Sequence, residues 1–122
     1  MKPARKGLWH MIDATCYSLA GFRRLMAETA ARLELAGGAM AVLLLLWVGA
    51  NSVQWLGFVV LFAALLAFEA LNTALELLVD HISPGWSEMA KQAKDLGSLA
   101  VGLMILANAA YVGLIVWQAV AN

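Results

Sequence analysis

The chain has 122 residues, 63% of them hydrophobic and only 13% charged, and its eight basic and eight acidic residues cancel to a formal net charge of zero. Such a composition lies outside that of ordinary soluble domains and points to one integral membrane domain over residues 1–122, with no nucleic-acid partner. Three spans of about 20 residues take up half of such a chain and leave no room for a separate soluble catalytic domain.

The neutrality conceals a segregation. Every Lys and Arg lies either at or before Arg32 or at Lys91 and Lys94. The single Cys16 has no partner for an intrachain disulfide and reads as a small apolar residue.

In chain order, residues 1–5 carry Lys2, Pro3 and Arg5 without the apolar core of an export signal, so no cleaved signal is expected. From Leu8 to Leu33, apolar residues (Leu8, Met11, Ile12, Leu19, Phe22, Met26) recur at helical spacing against His10, Asp13, Arg23, Arg24, Glu28 and Arg32. This spacing predicts an amphipathic surface helix over about residues 6–30, broken near Gly21 and lying in the membrane interface. A soluble helix packed on a partner is the alternative.

From Leu35 to Phe68 no residue is charged. The run is too long for one span and too short for two spans with a long loop between them. Gly49-Ala50-Asn51-Ser52 is its turn-like cluster, which predicts a tight hairpin with spans at about 32–48 and 53–82, anchored by Trp47 and Trp55. Ser83-Pro84-Gly85 stops the second span, Trp86 to Asp95 reads as a polar connection, and a third span is expected at about 96–120. The positive-inside rule places the N-terminus and Lys91/Lys94 in the cytoplasm, with the Gly49 turn outside. Small residues at Gly37, Gly38, Ala63, Ala67, Gly97 and Gly102 would let the helices approach closely.

The stretch from Glu69 to Asp80 breaks the hydrocarbon pattern. At about 100° per residue, Glu69, Thr73, Glu76 and Asp80 fall within roughly 60° of one another, with Asn72 beside them. Ionisable groups in such a segment are expensive and mark function by default. Three carboxylates on one face raise one another's pKa unless a cation neutralises them, and oxygen-only ligands suit Mg²⁺ or Ca²⁺. Lys94 offers a point charge to phosphates, and Asp95 could orient it or bind a nucleotide hydroxyl. A metal, a phosphate-binding lysine and a spare carboxylate suggest phosphoryl transfer, although the chain has no G-x-x-x-x-G-K-[ST] loop. The same acidic residues could instead line a proton or cation pathway in a small transporter. Lys94 and Asp95 could be a mere surface ion pair, and Tyr17, His10 and the tryptophans interface anchors. The residues alone leave pump and kinase open.

The pattern Glu69-x-x-Asn72-Thr73-Ala74-Leu75-Glu76-x-x-Val79-Asp80 resembles the signature of the prokaryotic integral-membrane diacylglycerol kinase family, which includes undecaprenol kinases. Its companions are Lys94-Asp95-Leu96-Gly97-Ser98, Tyr17-Ser18-x-x-Gly21-Phe22-Arg23, and Glu28 near Arg32-x-Glu34, so the resemblance spans nearly the whole chain. It implies an all-α homotrimer of three-span subunits with an N-terminal surface helix. Each would use ATP and Mg²⁺ to phosphorylate a lipid hydroxyl at the cytoplasmic face of the bacterial inner membrane. Carried over by residue, Glu69 would be the base and Glu28 and Glu76 would hold the metal. Tyr17, Glu28, Asn72, Glu76, Lys94 and Asp95 would contact the nucleotide, and Glu69, Ser98, Arg32 and Trp47 the lipid. The segment after Asp95 favours diacylglycerol over the alternative, undecaprenol. The chain departs from the familiar pattern at His10 and Asp13, where the surface helix usually carries basic residues, and at Gly85, where an acidic nucleotide contact is common.

Overall fold

The computed structural model describes residues 5–122. Lys2 and Pro3, which enter the reading of the N-terminus, lie outside the described residues. Four helices follow in chain order: α1 (Leu8–Leu25), α2 (Thr29–Val48), α3 (Ser52–Ile82) and α4 (Glu88–Ala121). All regular structure among the described residues is helical, and α2, α3 and α4 are each long and apolar enough to cross a membrane.

Local chemistry fixes the joints. The last turn of α2 closes on Gly49, whose φ of 68° is left-handed, a conformation that costs glycine little. There Gly49 N–H bonds to Leu46 C=O and Ala50 N–H to Leu45 C=O. Two residues later Asn51 caps α3 reciprocally: Gln54 N–H donates to Asn51 Oδ1, and Asn51 N–H donates to Gln54 Oε1, both at 2.9 Å. The expected hairpin therefore turns at the expected residues. Its partner joint lies at the other end, where Ser87 accepts a 3.1 Å bond from Ala90 N–H and starts α4 at Glu88.

Two sequence expectations need correction. Gly21 does not break the first helix; α1 runs through it, and the chain turns at Met26–Glu28, where Glu28 is extended (φ −84°, ψ 130°). One glycine inside a helix costs only about 1 kcal/mol relative to alanine, too little to end it. The connection from Trp86 to Asp95 is mostly helical rather than irregular, because the Ser87 cap supplies a helix start well before the charge-free run.

A hydrophobic cluster lies near the Gly49 turn. Leu45, Phe58, Val112 and Ile115 form a buried cluster there, supported by Phe62, which stacks on Phe58 at 5.6 Å. Gly38 admits the Phe62 ring where any Cβ would strike it, so α2 lies close on α3. In the same way Gly57 admits the Tyr111 hydroxyl, which donates to Gln54 C=O at 3.0 Å. Asn108 of α4 donates to Leu61 C=O on α3 at 3.0 Å, tying the two long helices mid-length.

Candidate active site

Since α2 runs away from Glu28 and α3 returns, the start of α2, the end of α3 and the start of α4 lie at one end of the molecule. The polar side chains gather there. Glu69 is 5% exposed and Thr73 7%, the two buried polar residues of α3. The carboxyl of Glu34, on the second turn of α2, lies near that of Glu69. Its Oε2 is buried without a hydrogen-bond partner.

One turn along α3, Asn72 Nδ2 donates to Glu76 Oε1 at 3.3 Å. The Asn72 Oδ1 faces α4 at Gly97, where any larger residue would collide with it, and is buried with no hydrogen-bond partner. Close approach of α3 and α4 thus presents an unpaired amide oxygen beside the Glu76 carboxylate. Both are hard oxygen donors of the kind that suits a divalent cation, and Mg²⁺ needs only one or two carboxylates, drawing its other ligands from water and phosphate. The donor chemistry fits such an ion, although among the described residues no three His, Cys, Asp or Glu side chains converge as a ready metal cluster.

Lys94 and Asp95 do not pair with each other. Lys94 Nζ lies 2.5 Å from Asp80 Oδ1, and Asp95 Oδ2 lies 2.8 Å from Lys91 Nζ, one turn earlier on α4. Both remain at the polar end. Glu28 sits at the α1–α2 corner and holds Arg24 at 2.7 Å. Arg32, one turn further along α2, reaches Thr29 at 3.4 Å. Tyr17 is 68% exposed on α1, and Ser98 is exposed on α4 beside Gly97. Trp47 stands apart, exposed at the far end of α2 next to the Gly49 turn, about 20 Å along the helix from Glu34.

Helix α1 lies against α3, with Phe22 and Leu25 opposite Leu66, Ala70 and Ala74, and leaves much of its apolar face uncovered: Leu8, Trp9, Met11, Leu19 and Phe22 are all exposed. Near its start, Arg5 grips Asp13 through two bonds and lies over Trp9. Asp13 thus makes an internal clasp at a position where a free basic group was the familiar pattern. An apolar groove of about 680 Å³ runs between α2, α3 and α4, bounded by Gly37, Gly38, Phe58, Phe62 and Val112, with Glu34 and Asn108 as polar lining.

Sequence reasoning assigned no site role to Glu34, and for Gly97 it gave close helix approach without naming Asn72 as the group it admits. For Glu34 a signal was present, since it is the last charge before the charge-free run. The need for glycine at position 97 depends on how α4 meets Asn72, which no periodicity reveals.

The family model described as prokaryotic diacylglycerol kinase matches residues 16–117. A diacylglycerol kinase of Sinorhizobium sp is 46% identical over 110 residues, covering 90% of this chain and 80% of the relative. Those of Haemophilus influenzae and Escherichia coli K12 are 33% and 31% identical, covering 78% and 82% of this chain and 81% and 83% of the relatives.

Proposed function

The chain belongs to the prokaryotic diacylglycerol kinase family, and on that premise we propose that it transfers the terminal phosphoryl group of ATP to the hydroxyl of diacylglycerol. The observation that carries the mechanism is Glu69, a carboxylate 5% exposed inside an apolar helix, on the same face as Thr73, Glu76 and Asp80. A buried carboxylate there is costly and is retained for chemistry.

In this reading the lipid hydroxyl oxygen attacks the γ-phosphorus, the bond to the β-phosphate oxygen breaks, ADP leaves, and Glu69 receives the hydroxyl proton. Lys94, Asp95, Tyr17 and Asn72 bind the nucleotide, and Glu28 and Glu76 hold Mg²⁺. The ion, when bound, neutralises charge on the phosphates. Arg32 and Ser98 flank the lipid headgroup, and Trp47 marks the far end of its path. The groove that Glu34 lines supports this, since it offers an acyl chain an apolar bed between α2, α3 and α4.

The whole chain, residues 1–122, acts as one domain in the bacterial inner membrane. Its N-terminus and polar end face the cytoplasm, α1 lies in the interface, and the spans are at about 32–48, 53–82 and 96–120. The assembly is an oligomer, because one subunit of three spans leaves Glu28 and Glu76 only partly covered, and the family resemblance makes that oligomer a homotrimer. Ultracentrifugation in density-matched detergent tests it; fully active monomer would refute it.

Purified protein in mixed micelles with MgATP and dioleoylglycerol should yield phosphatidic acid. Undecaprenol run in parallel decides the substrate. Product from neither lipid, with proton flux in vesicles, would point to a small transporter instead.

A further inference from the structure

The proposed reaction gives Asp80 no role, yet its carboxylate forms an ion pair with Lys94. It joins the end of α3 to the start of α4 across fourteen residues. The connection beneath it is tied: Ser83 Oγ and Ser87 Oγ lie 2.9 Å apart, Ser83 also donates to Gly85 C=O at 3.3 Å, and Ser87 caps α4. With the two helix ends fixed, Asp80 is held beside the Lys94 ammonium. Glu76, one turn back on α3, also lies within Coulombic reach, and it is engaged by Asn72.

The contact is also easy to break. The side chains of Lys94 and Asp80 are 42% and 62% exposed, so water screens the pair and a polyanion competes for the ammonium with more charge than one carboxylate can offer.

We propose that Asp80 is a positioning residue, an anionic placeholder that holds Lys94 at the polar end of the nucleotide-free protein and yields it to the phosphates of an incoming nucleoside triphosphate. This rests on Lys94 being a nucleotide contact. Asp80 itself touches no substrate; it acts through Lys94. Removing it frees the ammonium from its resident counter-ion, and nucleotide then binds more tightly.

The experiment is calorimetric titration of the full-length protein in detergent micelles with the magnesium complex of β,γ-methylene-ATP. Asp80→Asn should tighten binding by about 1.5- to 5-fold, the span expected for an exposed ion pair. Asp80→Glu should restore the parental affinity. Lys94→Met should weaken binding, and adding Asp80→Asn to it should change nothing further, because the carboxylate acts only through that lysine. Unchanged or weaker binding by Asp80→Asn, or a Glu variant that binds like the Asn variant, overturns the placeholder. Equal tightening in the Lys94→Met background overturns it too, and assigns the effect to a general loss of negative charge. If Lys94→Met binds nucleotide as the parent does, the nucleotide role of Lys94 falls and the placeholder falls with it. A weakened Lys94→Met beside an inert Asp80→Asn leaves that role standing and removes the placeholder alone.

Discussion

At the Gly49 end of the molecule, Leu45, Phe58, Val112 and Ile115 bury one another, and Asn51, Gln54 and Tyr111 are capped or bonded. At the other end Glu34, Glu69, Asn72 and Glu76 sit between apolar helices, and two of their oxygens have no partner. Both ends use the same device, small residues that let helices touch: Gly38 under Phe62 at the first, Gly97 under Asn72 at the second. What differs is what the close approach presses together. Rings and aliphatic chains gain dispersion contacts and need nothing more. Carboxylates and an unpaired amide gain nothing from proximity, so their gathering makes sense as a site for something that arrives later, a cation, a phosphate or a hydroxyl proton.

The contrast can be broken most sharply at Glu69. Glu69→Gln keeps the shape of the side chain and removes the base. Turnover to phosphatidic acid should fall on the order of 10²- to 10⁴-fold, the range of a positioned general base, while the thermal transition stays where it is. The complementary change is Leu45→Ala, because Leu45 is fully buried at the dry end. It should cost about 2–5 kcal/mol of stability, read as faster thermal inactivation, with the KM for MgATP unaltered. A rise in that KM would mean that the two ends are not separable.

Smaller effects sharpen the division. Glu76→Gln replaces a carboxylate with an amide, a poorer ligand for a hard dication, and should raise the Mg²⁺ midpoint of activity about tenfold, since ligand charge tunes cation affinity by decades. An unchanged midpoint would remove Glu76 from the metal site. Asn51→Ala deletes the capping box of α3 and should lower stability by about 1 kcal/mol without touching nucleotide or lipid kinetics.

Much of this architecture is legible in the residues. The absence of charge from Leu35 to Phe68, with one turn cluster inside it, determines the hairpin, and the 3.6-residue repeat puts Glu69, Thr73 and Glu76 on one face. The end of α1 is not legible, since Met26, Ala27 and Glu28 are good helix formers that mark no turn, and only the packing of Leu25 and the extended Glu28 reveal it. The ion pairs were misleading in sequence. Lys94 and Asp95 are adjacent, but successive residues of a helix point about 100° apart, so each took a partner elsewhere, Asp80 across the joint and Lys91 one turn back. The proximity of Glu34 to Glu69 is likewise tertiary. It depends on the offset of α2 against α3, which the turn geometry sets and the sequence pattern alone does not.

The measurement that bears most directly on the central claim is MgATP affinity of Glu69→Gln by calorimetry, taken on the same preparation that shows the loss of turnover. A general base is felt mainly in the transition state, so the account predicts affinity equal to that of the parent while turnover collapses. Loss of affinity matching the loss of turnover would contradict it and make Glu69 part of the nucleotide or metal shell.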